Sequence, residues 1–230
     1  MAVTPMAGVA GTMANASPPP VPPPPMSPEE RATLEARVRE LVAAGAAMPA
    51  AEAVVRGYGP EVLAWLVGTD GGARDAADAF SQWCEDLTRG MASYRGDCSV
   101  RTYVYTLARH ARMRHRRDPW TRRVRGITGS AISLVEQQVR ESTLPFLRTE
   151  VKDRFALLRD ELDPDDRDLL VLRVDRDLPW NDIVRVMGGD REPSQDDLRR
   201  GSAALRKRFE RVKERLRQRA VETGLLGDER

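Results

Sequence analysis

From Pro28 onward the apolar residues recur at helical spacing. Leu34, Val38, Leu41 and Val42 fall at i, i+4, i+7 and i+8, one face of a first helix. The pattern predicts a second helix over Ala50–Val67, closed by a turn at Gly68-Thr69-Asp70-Gly71-Gly72. A third spans about Arg74 to Met91, with Phe80, Cys84, Leu87 and Met91 along one stripe. Tyr94-Arg95-Gly96-Asp97-Cys98 reads as a short loop, and Ser99 as the N-cap of a helix that ends near Asp118-Pro119. Residues 118–149 mix arginine, glycine and proline around one weak helical stretch, Ile132–Arg140, and read as a linker. Periodicity returns at Val151, Phe155, Leu158 and Leu162. Asp163-Pro164 opens a helix carrying Leu169, Leu170 and Leu172. A short helix, Trp180–Met187, is followed by the turn Gly188–Pro193. The last helix runs from about Ser194 to Glu222 on the stripe Leu198, Leu205, Phe209, Val212 and Leu216. No strand is needed, so the expected fold is all-α: two small helical domains, 29–117 and 150–230, joined by the linker 118–149.

Composition agrees with helices, because 31% of residues are charged and only 5% aromatic, which leaves few strand formers. Residues 1–28 hold a nearly continuous proline tract, Pro18 to Pro25, with few amide donors and little apolar surface, and are expected to be a disordered tail. No apolar run approaches the roughly 20 residues of a bilayer span, and no secretory signal is evident. The two cysteines, Cys84 and Cys98, suit neither a disulfide framework nor a CxxC metal site. Cys84 falls on an apolar face and reads as a small buried hydrophobe. A cytoplasmic protein without membrane insertion, metal or cofactor is expected.

Charge changes the picture more. The net charge is +2, but it is segregated. Residues 95–125 carry ten basic side chains against Asp97 and Asp118, and residues 199–219 carry ten against Glu210 and Glu214, so each block is +8 and the rest of the chain is −14. Two basic blocks on an acidic chain point to two contacts with a polyanion.

On the Ser99–Arg117 helix, Val100, Val104, Leu107 and Ala111 share one side. Arg101, Tyr105, Arg109, Arg112 and Arg116 share an arc of about 80° on another. Arginines neutralise phosphates and tyrosines such as Tyr94, Tyr103 and Tyr105 stack on unpaired bases, the chemistry that melting DNA requires. The same pattern also describes a solvated basic face, and composition leaves both readings open. In the second block, Trp180–Met187 and the helix after it form a helix-turn-helix pattern. Arg200, Lys207 and Arg211 project opposite the apolar stripe, where a major groove could receive them, with Arg199 and Arg208 on phosphates. The turn is longer than the usual three or four residues.

Tyr94-Arg95-Gly96-Asp97-Cys98-Ser99-Val100-Arg101-Thr102-Tyr103-Val104-Tyr105-Thr106-Leu107-Ala108-Arg109-His110 resembles region two of RNA polymerase sigma factors of the extracytoplasmic-function group. Asp75-Ala76-Ala77-Asp78-Ala79-Phe80 resembles the family's polymerase-docking stretch. Leu162–Leu170, Leu178-Pro179-Trp180-Asn181-Asp182-Ile183 and Leu205–Leu216 resemble region four. The pieces stand in the family's order, over roughly residues 30–117 and 150–220. The resemblance implies an alternative sigma factor with no enzymatic activity, whose partners are core RNA polymerase and promoter DNA, with an anti-sigma factor as a further candidate. It assigns Tyr94, Asp97, Ser99, Arg101, Thr102, Tyr103, Tyr105, Arg109 and Arg112 to the downstream promoter element. Arg199, Arg200, Lys207, Arg208 and Arg211 go to the upstream element, and Asp75, Asp78, Ser81 and Gln82 to the polymerase. Ser81-Gln82 departs from the family's Gln-Glu, Tyr103 from its Trp, and Val100 from its Phe.

Two other classes fit less of the chain. A stand-alone helix-turn-helix regulator needs only the C-terminal motif and leaves Asp75–Arg109 unexplained. A nucleic-acid enzyme needs a catalytic set. His110 and His115 both lie on the arginine-rich helix, and Asp163, Asp165 and Asp166 read as helix N-terminal charge.

Overall fold

The computed structural model describes residues 26–70, 73–117, 131–149, 158–188 and 192–226. Every regular element among them is helical. α1 (Pro28–Ala43) starts on a capping box: the Ser27 hydroxyl accepts the Glu30 amide at 3.2 Å, and the Glu30 carboxylate accepts the Ser27 amide at 2.8 Å. Pro28 sits at a first-turn position, where its missing N–H costs nothing. α2 (Ala47–Asp70) carries Pro60 inside the helix. α3 (Ala73–Gly90) runs into a 3-10 turn, Met91–Ser93, before the loop to α4 (Val100–Arg117). α5 is Ala131–Thr149 and α6 is Pro164–Leu170, capped by the Asp163 side chain. α7 (Trp180–Met187) and α8 (Gln195–Glu222) complete the chain.

α2 is the hub, packed by α1, α3, α4 and α5. Trp65, Trp83, Tyr58, Tyr105 and Phe80 are fully buried around it. The stripe Phe80, Cys84, Leu87 and Met91 is completely buried, as its spacing predicts. The Trp83 indole N–H donates to the Val104 carbonyl at 3.0 Å and ties α3 to α4. After α6 the chain makes a π-helical turn, Val171–Asp175, where the Arg176 amide reaches back to the Val171 carbonyl at 3.0 Å. Asp177 then takes a φ of +48°, and the Leu178 amide closes on the Leu172 carbonyl at 3.0 Å. This reversal leads into α7, which packs against both α4 and α8.

α7 and α8 meet at a small residue: a Cβ on Gly201 would lie 2.9 Å from both γ-methyls of Val184. Farther along, Trp180 packs edge-on against Phe209 with ring centroids 5.6 Å apart, flanked by the Arg173 and Arg206 guanidinium groups. α8 opens on a second capping box, Ser194 with Asp197. Buried side chains from Val38 to Val212 form one continuous cluster, so the N- and C-terminal helices share a core.

Three expectations are corrected. Residues 68–70, read as the start of a turn, continue α2. The weak stretch Ile132–Arg140 is part of the longer α5, because Ile132, Val135 and Val139 form a buried stripe against α2 and α3. The flanking arginine- and glycine-rich sequence conceals that stripe. The second helix also begins earlier than Ala50, at Ala47. The proline tract, Asp118-Pro119, Val151, Phe155 and the centre of the 188–193 turn lie outside the described residues. Among the described residues no helix is long and apolar enough to cross a membrane.

Candidate nucleic-acid interface

The loop 94–99 is held from both ends. Tyr94 is buried, stacks at a tilt on Tyr103 with centroids 5.0 Å apart, and donates its hydroxyl to the Cys98 carbonyl at 2.5 Å. Gly96 takes a φ of +79°, a conformation that disfavours other residues, and Asp97 beside it is exposed. The first four amides of α4 have no partner within the helix and all four are satisfied. Glu35, from α1, accepts the Val100 and Arg101 amides at 2.9 Å each. The Ser99 hydroxyl accepts the Thr102 amide at 3.0 Å, and the Ser99 carbonyl accepts the Tyr103 amide at 3.0 Å. Ser99 is thus the N-cap that its position predicts. Glu35 also accepts the Tyr58 hydroxyl at 3.1 Å, and burial beside this carboxylate pushes the Tyr58 phenol far above its ordinary value.

Glu35 was not among the expected site residues. The signal was present in α1, where Glu35 lies at the edge of the Leu34–Val38–Val42 stripe, a position where an exposed carboxylate is not expected.

The arginine face of α4 is not solvated. Arg101, Arg109 and Arg112 are 9%, 6% and 2% exposed, and Tyr105 is fully buried. Each arginine meets a carboxylate from elsewhere in the chain. Arg101 donates through two guanidinium nitrogens to one carboxylate oxygen of Glu61 of α2, which also accepts the Tyr105 hydroxyl at 2.8 Å. Arg109 donates to Asp165 of α6 at 2.6 Å and lies 3.5 Å from Asp168. Arg112 makes a two-pronged pair with Asp168, one contact at 2.6 Å, while its guanidinium stacks 4.8 Å from the Trp65 ring centre. Arg116, exposed, donates to the Thr69 carbonyl at 2.9 Å.

α7 covers the start of α4. Burial raises the Asp182 carboxyl above its ordinary value, against the opposing pull of a hydrogen bond to Thr102 and of Arg185. Burial, reinforced by the nearby Glu192 carboxylate, pushes the Cys98 thiol up to about 11.

α8 presents the opposite case. Arg199, Arg200, Lys207 and Arg211 are all exposed, with Arg200 paired to Asp197 at 2.8 Å and Arg199 near Asp196 at 3.8 Å. Arg208 is half-buried and donates to Asp166 of α6 at 2.5 Å. The residues expected at the polymerase sit on α3. Asp75, Asp78, Ser81 and Gln82 are all partly covered: Gln82 bonds Asp86 at 3.1 Å, and Ser81 donates to Glu136 of α5 at 2.5 Å. The basic row of α8 is therefore open, the arginine row of α4 is closed by carboxylates, and the α3 face is shared with α5.

No protein-family model matches the chain, and no solved structure matches it. It is similar to the RNA polymerase sigma factor YlaC of Bacillus subtilis (strain 168), with 27% identity over 169 residues, 71% of this chain and 94% of that protein. The similarity runs along almost the whole length of that relative.

Proposed function

We propose that the chain is an alternative sigma factor of the extracytoplasmic-function group, which docks on core RNA polymerase and directs promoter recognition, melting and initiation. The observation that carries this reading is the similarity to a sigma factor over nearly its whole length, together with family-like motifs in the family's order. Residues 29–117, with α5 packed on α2 and α3, would form the melting domain, and 150–230 a helix-turn-helix domain. α3 would meet polymerase through Asp75, Asp78, Ser81 and Gln82. The loop at Gly96–Ser99 has small side chains that let backbone approach an extruded base, whose unstacking costs a few kcal/mol and must be offset by pocket contacts. Arg200, Lys207 and Arg211, all exposed on α8, would enter the major groove of the upstream element.

Run-off transcription with core polymerase over a pool of genomic promoter fragments tests this reading. Defined starts that core alone does not produce are expected. DNA binding without initiation would favour a stand-alone regulator instead. Within an active system, Lys207→Ala and Arg211→Ala should weaken upstream-element binding. Loss of a bidentate guanine contact costs about 1–3 kcal/mol and relaxes preference at one position, whereas loss of a phosphate contact lowers affinity evenly.

A further inference from the structure

The docking residues proposed on α3 are joined to a helix that lies outside their motif. Ser81 donates its hydroxyl to Glu136 of α5 at 2.5 Å, and the Glu136 side chain is only 9% exposed. A side chain longer than serine at 81 would run into that carboxylate. One turn farther along α5, Arg140 places Nη1 3.5 Å from Glu136 and 3.5 Å from the Ser81 hydroxyl. Glu136 is thus spent inside the seam between α3 and α5. The guanidinium stands at the outer edge of that seam, with 37% of the side chain exposed.

The groups around Ser81 differ in how far they are already used. Gln82 bonds Asp86 at 3.1 Å, and Asp75 lies 3.7 Å from the His115 ring. Asp78, one turn before Ser81 and half-buried, forms no ion pair among the described residues. Arg140 is engaged through Nη1 alone among them, which leaves Nε and Nη2 for a further acceptor. A carboxylate and a guanidinium therefore flank Ser81 from two helices without pairing with each other. A half-covered charge gains most from an opposite charge that also excludes the remaining water. α5 holds its side of this pair firmly: a Cβ on Gly59 of α2 would lie 3.1 Å from a Val139 γ-methyl, so the helix sits close on its neighbour. A contact made from a packed helix costs less ordering than one made from a loop.

Resting on the assignment of α3 to polymerase, we propose that α5 is part of the same docking surface. Arg140, steered by Glu136 and Ser81, binds a carboxylate of core polymerase beside the group that meets Asp78. The surface fits a partner face that carries opposite charges side by side, a basic group over Asp78 and an acidic one over Arg140. That alternation fixes the register of docking, because a shifted partner brings like charges together.

Binding of the full-length chain to immobilised core RNA polymerase, followed by biolayer interferometry at low and high salt, tests the proposal. Arg140→Met keeps the aliphatic stem on α5 and removes the charge. It should weaken binding about fivefold at low salt and less at high salt, at an unchanged melting temperature. Arg140→Lys keeps the charge without the planar fork and should recover part of the loss. Arg56→Met makes the same charge change on the α2 side of α5, where Arg56 donates to Gln138 at 3.2 Å, and should bind as wild type does. Should Arg140→Met melt lower than wild type, Arg140→Gln takes its place, since it can still bond Glu136 without the charge.

Unchanged binding by the folded Arg140 variant overturns the proposal. Tighter binding overturns it as well, because α5 would then be an obstacle to docking. Asp78→Lys separates this outcome from failure of the parent reading. If wild type does not bind core polymerase, or Asp78→Lys binds as well as wild type, α3 is not a docking face and both fall. If Asp78→Lys loses binding while Arg140→Met does not, docking on α3 stands and only the part assigned to α5 is wrong.

Discussion

Glu35 ties α1 and α2 to the start of α4. It supplies both acceptors for the first two amides of α4 and a third contact to Tyr58. Buried amides left without an acceptor cost about 1–3 kcal/mol each, so Glu35→Ala should lower unfolding free energy by about 3 kcal/mol in urea titrations. Glu35→Gln should recover only part of that loss, since one acceptor becomes a donor facing an N–H. At the start of α8 the Ser194 contacts, with Arg200 assisting, hold the Asp197 carboxyl down to about 2. A depressed carboxylate adds stability that is fully present above its unfolded value near 3.8 and is lost as pH falls through about 2. Carbon-13 NMR titration should place Asp197 near 2, and Ser194→Ala should move it toward 3.8.

The helix elements follow from caps, stripes and small residues at crossings. α7 and α8 approach so closely that both methyls of Val184 press on Gly201. Alanine at Gly201 gains about 1 kcal/mol of helix propensity, but overpacking against a stiff β-branched side chain costs about 1–3 kcal/mol. Gly201→Ala should therefore be destabilising by about 1 kcal/mol, and Val184→Ala in the same chain should relieve it. A double-mutant cycle by thermal denaturation gives the coupling. α5 shows a different lesson at this scale. Among its described side chains the buried apolar stripe is Ile132, Val135 and Val139, and packing on α2 and α3 secures the helix.

At the scale of the whole molecule the shared core and the Arg112–Asp168 pair join the N- and C-terminal helices. Wild type should unfold in one calorimetric transition. Asp168→Ala would strand a buried guanidinium at a cost of about 3–5 kcal/mol if the two parts stayed docked, so undocking becomes the cheaper response. The variant is expected to show two transitions in place of one, the lower one sensitive to salt. Much of this protein is legible along the chain. Helix period, Ser27, Ser99 and Ser194 as caps, Asp163-Pro164 and the short Trp180–Met187 helix are local features, set by side chains within a few residues of the backbone groups they satisfy. The open basic row of α8 is local in the same sense, since one helical face carries it and the opposite face packs. What lies over α4 is not local. Glu61, Asp165 and Asp168 stand 40 to 56 residues from the arginines they neutralise, and periodicity counts every such arginine as a solvent-facing charge. The sequence by itself determined the helices and where positive charge gathers on them. Only the tertiary structure decided which of those charges are spent inside the protein, because an ion pair across a fold depends on where distant helices come to rest.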